Sequence, residues 1–191
     1  ADNYFGSIFA TPGDVDNYDN SLRVSNAVKY VSPNYSGLQF EGLYAFSGLA
    51  GRTGQGYTYS GAVTYNNGPL GIAAGYFLAT NPSPTAGAFR DGWDPTSSSD
   101  AIFDGAINSG YATAKSLGIA RAGIQYALGP VTVGGSYSNA QYKNDGDSTF
   151  TSTEKYNVGN AFVNYQATPA MLFAVGYSFE KASGNTSATY N

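Results

Sequence analysis

The sequence predicts an all-β protein, an antiparallel up-and-down sheet of the kind that closes into a transmembrane β-barrel. Three observations carry this: eight segments of alternating polarity, connections that alternate between tight and long, and tyrosines at two fixed places along the strands. Each segment is about 10–12 residues long, against ~5–6 for ordinary strands and near the ~9–11 that a tilted strand needs to cross a bilayer. No stretch carries a helical period of useful length, and none approaches the ~18 apolar residues of a transmembrane helix.

The first strand is expected over 22–32, where Val24, Val28 and Tyr30 alternate with Arg23, Ser25 and Lys29, and the turn formers Pro33 through Gly37 end it. The second, 37–47, sets Leu38, Phe40, Tyr44 and Phe46 against Gln39 and Glu41, and a polar loop over 48–55 follows. The third, 56–66, sets Tyr57, Tyr59, Val63 and Tyr65 against Thr58, Ser60 and Thr64, and Asn66 through Pro69 make its turn. The fourth, 69–80, carries Leu70, Ile72, Tyr76 and Leu78 and leads into the longest loop, 81–114, which Phe89, Trp93 and Phe103 are expected to anchor. The fifth, 115–127, opposes Ala122, Ile124 and Tyr126 to Arg121 and Gln125, with Leu128-Gly129-Pro130 as its turn. The sixth, 130–142, opposes Val131, Val133 and Tyr137 to Thr132, Ser136 and Ser138, before a polar loop over 143–153. The seventh, 154–166, opposes Ala161, Val163 and Tyr165 to Asn160 and Asn164 and turns at Ala167-Thr168-Pro169. The eighth, 170–181, opposes Met171, Phe173, Val175 and Tyr177 to Ser178 and Glu180, and a polar stretch closes the chain.

Short and long connections therefore alternate, which places the tight turns on one rim and the long loops on the other. A tyrosine enters each tight turn (Tyr30, Tyr65, Tyr126, Tyr165), and another follows seven or eight residues beyond it (Tyr44, Tyr76, Tyr137, Tyr177). Those steps cover about 23–26 Å along a strand, or about 18–20 Å of depth at a ~40° tilt, close to the height of a membrane's apolar band. Each of these eight tyrosines shares its parity with the apolar residues of its strand, and the mid-strand charges Arg23, Lys29, Glu41, Arg121 and Glu180 fall on the opposite parity.

Composition decides which face is outward. Charged residues make up 12%, half the roughly 25% of soluble proteins, so a water-bathed exterior lacks its usual long charged side chains. Polarity comes instead from Ser, Thr, Asn, Gln and Gly, and the outward face is expected to be the tyrosine face, in lipid. The absence of Cys removes thiol chemistry, and the absence of His removes the commonest catalytic base, so an enzyme is not expected. A net charge of −4 argues against nucleic acid as a partner. No secretory leader is visible at the start, and both ends fall in irregular polar sequence, as expected of an internal fragment.

The run Arg23-Val24-Ser25-Asn26-Ala27-Val28-Lys29-Tyr30, followed by Ser32-Pro33-Asn34-Tyr35-Ser36-Gly37-Leu38, resembles the general trimeric porins of β-proteobacteria. The segment from Phe5 to Asn20, with Gly13-Asp14-Val15-Asp16-Asn17, is similar to the end of their constriction loop. The resemblance runs through essentially the whole chain, with the first hairpin its specific part. It implies a sixteen-stranded barrel in a homotrimer of the bacterial outer membrane, in contact with the lipid bilayer and lipopolysaccharide. It further implies a water-filled channel for small hydrophilic solutes and ions. On this reading 1–21 ends the constriction loop, 22–181 holds eight of the strands, and 182–191 starts the next extracellular loop.

A diffusion channel performs no chemistry, so its functional residues are those that set the field and width of its narrowest section. Asp14, Asp16 and Asp19 are the candidate acids on the constriction loop, and Arg23, Lys29, Glu41 and Arg121 are the candidate lumen charges. Opposite charges across a narrow aqueous gap would orient passing solutes. The alternative is solvated loop and rim charge. The three Asp residues also invite calcium, but an EF-hand loop counted from Asp14 needs Gly and Glu where Asp19 and Ser25 stand, and no metal or cofactor is expected. Two other functions stay open: a substrate-specific channel, and a surface β-rich adhesin or binding protein.

Overall fold

The computed structural model describes residues 15–16, 26–46, 56–80, 114–146, 148 and 150–184. Eight strands lie in chain order: β1 (Ala27–Val31), β2 (Leu38–Ala45), β3 (Thr58–Asn67), β4 (Leu70–Thr80), β5 (Ser116–Leu128), β6 (Val131–Lys143), β7 (Glu154–Thr168) and β8 (Met171–Ser183). They form one sheet in the order β1-β2-β3-β4-β5-β6-β7-β8, each pair antiparallel, and among the described residues β1 and β8 are its open edges.

Tight turns close each hairpin at the positions where the sequence places Gly, Pro and Asn. Gly68 and Gly129 hold left-handed backbone (φ 56° and 59°) in the β3–β4 and β5–β6 turns, a conformation that costs glycine nothing. Gly37, at φ 96°, also lets the backbone approach closely: a Cβ there would collide with the Asn66 carbonyl, and the Asn66 N–H donates to Gly37 O at 2.8 Å. The β7–β8 hairpin carries a register shift between Gln166 and Thr168.

The strand bounds differ from the sequence expectation at several ends. Residues 22–25 of the expected first strand lie outside the described residues, and β7 and β8 run on to Thr168 and Ser183. Backbone pairing is indifferent to side-chain polarity, so Lys155↔Ser183 and Asn157↔Lys181 continue the ladder through polar sequence. β6 also runs one residue further, to Lys143, so that Lys143, Lys155 and Lys181 all stand in strands on the tyrosine parity, at their loop ends.

Burial is inverted relative to a water-soluble protein. Val175 and Tyr177 on the tyrosine face are 73% and 72% exposed, whereas Tyr142 and Tyr156 on the opposite face are fully buried. The buried cluster gathers Leu117, Ile119, Ala140, Tyr142, Tyr156 and Val158 with Val15, all toward the loop ends of β5–β7. A continuous apolar face left open this way is unstable in water and at home in hydrocarbon.

Candidate functional site

The loop-end half of the face opposite the tyrosines carries a built polar anchor. Cross-strand pairing sets Arg121 beside Ser138, and both reach the same group from a segment more than a hundred positions earlier. Arg121 Nη2 donates to the Asp16 backbone carbonyl at 2.5 Å and lies 3.1 Å from Asp16 Oδ2. The Ser138 hydroxyl donates to that same carboxylate oxygen, and Tyr142 OH donates to Val15 O at 3.1 Å. Asp16 is 1% exposed, so its charge is held where water cannot solvate it and depends on these partners. Val15 seats its side chain in the apolar cluster next to it, where Tyr142 and Tyr156 pack edge to face at 6.1 Å.

Gly75, Arg121, Ser138, Val158 and Glu180 are successive partners across β4–β8, and the same row continues through Ala62 and Glu41 to Val31 on β1. Lys29 sits diagonally from Glu41, and the two pair at 3.0 Å with both side chains about half exposed. Between this row and the tight turns, no described residue is charged. That lower wall carries amides and hydroxyls, among them Gln39, Thr64, Gln125, Ser136, Asn160 and Asn164. Ser178 donates to Asn160 Oδ1 at 2.5 Å, and the Asn160 amide donates to Ser136 at 3.3 Å. Phe162 lies across Gly134, where a Cβ would meet its ring at 2.5 Å, and borders a shallow depression floored by Gly71, Ala73 and Gly123.

Of the expected charges, the structure joins Asp16 to Arg121 and Lys29 to Glu41. Asp14, Asp19 and Arg23 lie outside the described residues, as do Phe89, Trp93 and Phe103. Sequence reasoning missed Val15, Ser138 and Tyr142 as anchor residues. Parity marks the last two as inward, but nothing local marks which segment they will meet.

The eight tyrosines all stand on the outward parity and all are exposed, except that Tyr65 is half-buried. At the loop-end level Tyr44 pairs across the sheet with Tyr59, and Tyr44, Tyr57, Tyr59 and Tyr76 follow one another at ring separations of 6.3–6.4 Å. At the turn level Asn67 donates to Tyr65 OH at 3.0 Å.

A family model described as Gram-negative porin matches residues 1–191. The chain belongs to the Gram-negative porin family. Among solved structures, the porin resembles the anion-selective porin from Comamonas acidovorans, with a TM-score of 0.59 at 18% identity. That match covers 85% of this chain and 40% of the other, so the porin spans less than half the length of its structural relative. No curated protein matches it. Fold and family together place this chain among the β-barrel proteins of the bacterial outer membrane.

Proposed function

We propose that the porin forms a water-filled channel for passive diffusion of small hydrophilic solutes and ions. In this reading its strands are part of a longer, sixteen-stranded barrel that assembles as a homotrimer. Residues 1–21 end an inward-folded loop, 22–181 form barrel wall with the long loops extracellular, and 182–191 begin the next loop. The tyrosine face meets lipid, its two tyrosine levels lie at the two interfaces, and the opposite face lines the lumen. The observation that carries this reading is the anchor: Arg121 and Ser138 hold the Val15–Asp16 segment against the inner face, so a loop occupies part of the lumen cross-section.

The described lumen charges carry no cationic excess, since Lys29 faces Glu41 and Arg121 faces Asp16. A preference for anions, such as the Comamonas porin is named for, would therefore rest here on Arg23 and on wall outside this chain. Single-channel recording of the full-length protein in a salt gradient tests the proposal. An ohmic current that sugars do not block supports general diffusion, and Arg23→Ala should move the reversal potential toward cation preference. Saturable block by one sugar would make it a substrate-specific channel instead, and a water-soluble, non-conducting protein would remove both readings.

A further inference from the structure

We propose that the turn-side half of the inner wall carries a shelf that retains one neutral sugar ring, a pyranose. The inference rests on the channel reading above, with this face toward the lumen, and adds to it a solute class and the residues that meet it. Pairing lays Asn66, Gly71, Gln125, Gly134, Phe162 and Gly176 in one row across β3–β8. The next row toward the loops holds Thr64, Ala73, Gly123 and Ser136. Gly71, Ala73 and Gly123 floor a depression of about 280 Å³. That is just below the ~300–1,000 Å³ of most small-molecule sites, and leaves room for a single ring.

One edge of the shelf is aromatic. Phe162 stands between two glycines in its row, and its ring reaches across Gly134: a Cβ there would lie 2.5 Å from Cζ and 2.6 Å from Cε1. Among the described residues it is the one aromatic side chain on the inner parity between the charged row and the tight turns. It lies four residues past Val158 of that row, or about 10 Å deeper at the usual rise and tilt. Covering Gly134 asks only for bulk, whereas a ring at the border of a polar hollow also presents a face to whatever lies in it.

The rest of the rim is polar and unspent. Elsewhere on this wall the amides bond within the protein: Gln39 donates to Ser32 O, Gln166 to Thr168 O and Asn160 to Ser136. The Thr64 hydroxyl and the Asn66 and Gln125 amides find no such partner among the described residues. Asn66 Oδ1 and Gln125 Nε2 instead lean over Gly71, each 3.1 Å from where its Cβ would stand. Ser136 accepts from Asn160 and keeps its own proton to give. These groups donate and accept, as a sugar hydroxyl does. No charge lies in this stretch, so an ion would lose hydration with nothing in return. A pyranose offers its C–H faces to the Phe162 ring and the backbone floor, and the hydroxyls of its edge to the rim. An acyclic polyol has the hydroxyls without the face, and an aromatic solute has the face without the hydroxyls. The shelf takes up one stretch of wall, so a bound sugar lingers without closing the pore.

The test is saturation-transfer NMR on the full-length porin in a sugar-free detergent, with methyl β-glucopyranoside and sorbitol as probes. The glucoside should receive saturation and sorbitol little, because only the ring has a face to stack. Phe162→Leu keeps bulk over Gly134 but removes the aromatic face, and should weaken glucoside binding about two- to tenfold. Ala73→Leu fills the hollow with the ring in place and should abolish that binding, circular dichroism confirming the strands of both variants. Equal saturation of the two probes would overturn the inference, as would full glucoside binding in either folded variant. The two substitutions lie on separate strands, so one decides the point should the other misfold. Planar-bilayer conductance of the same wild-type protein keeps the two readings apart. A porin that binds the glucoside without conducting sinks the channel reading alone, and one that conducts without discriminating the probes sinks the shelf alone.

Discussion

Asp16 shows what one residue can demand of a fold. Its carboxylate is out of water and relies on Arg121 and Ser138, and stripping one partner from a buried pair costs about 3–5 kcal/mol. Arg121→Gln should therefore lower the unfolding temperature and, by releasing the inner segment, raise single-channel conductance or its open-state noise. Unchanged conductance would mean that other contacts hold the segment. The exposed Lys29–Glu41 pair is a contrast: Glu41→Gln should shift stability by less than about 1 kcal/mol, measured by the same melting assay. Gly37→Ala combines a left-handed backbone with a collision on the Asn66 carbonyl and should destabilise the first hairpin by at least about 1–3 kcal/mol, seen as a lower yield of folded protein. Little of this was legible in the sequence. Parity turned Arg121 and Ser138 inward, but their meeting with Asp16 depends on how a distant loop folds, and no local period encodes that.

Strands and turns, in contrast, were legible, because each is written in neighbouring residues. The two-residue alternation marked every strand, and Gly, Pro and Asn marked every tight turn. The ends were less so. Hydrogen-bonded pairing outlasts the apolar alternation in β6–β8, so Lys143 stands in a strand where the sequence placed the start of a loop. The two faces of one strand should respond oppositely to the same change. Val175→Arg places a cation on the exposed apolar face of β8 and should cost about 2–4 kcal/mol near mid-membrane, checked by urea titration in lipid vesicles. Asn164→Arg, on the inward parity of β7, should fold normally and shift ion selectivity toward anions. A neutral outcome at Val175 would contradict the assigned faces.

At the scale of the whole molecule, the described sheet ends at β1 and β8 without closing. Lipid cannot satisfy the backbone groups of an open edge. The 191-residue chain on its own should therefore give no stable channel in planar bilayers, and steady single-channel steps from it would refute that expectation. The wall it does build is uneven. Every charge of the described strands lies in the row of Glu41, Arg121 and Glu180 or on its loop side, which on β5 and β6 leaves about 18 Å of depth, some seven residues of tilted strand, below it. Amides dominate there, and an amide can turn its oxygen to a cation or its nitrogen to an anion with equal ease. On the proposed channel reading, this stretch of wall therefore offers passing ions no preference of sign below that one row.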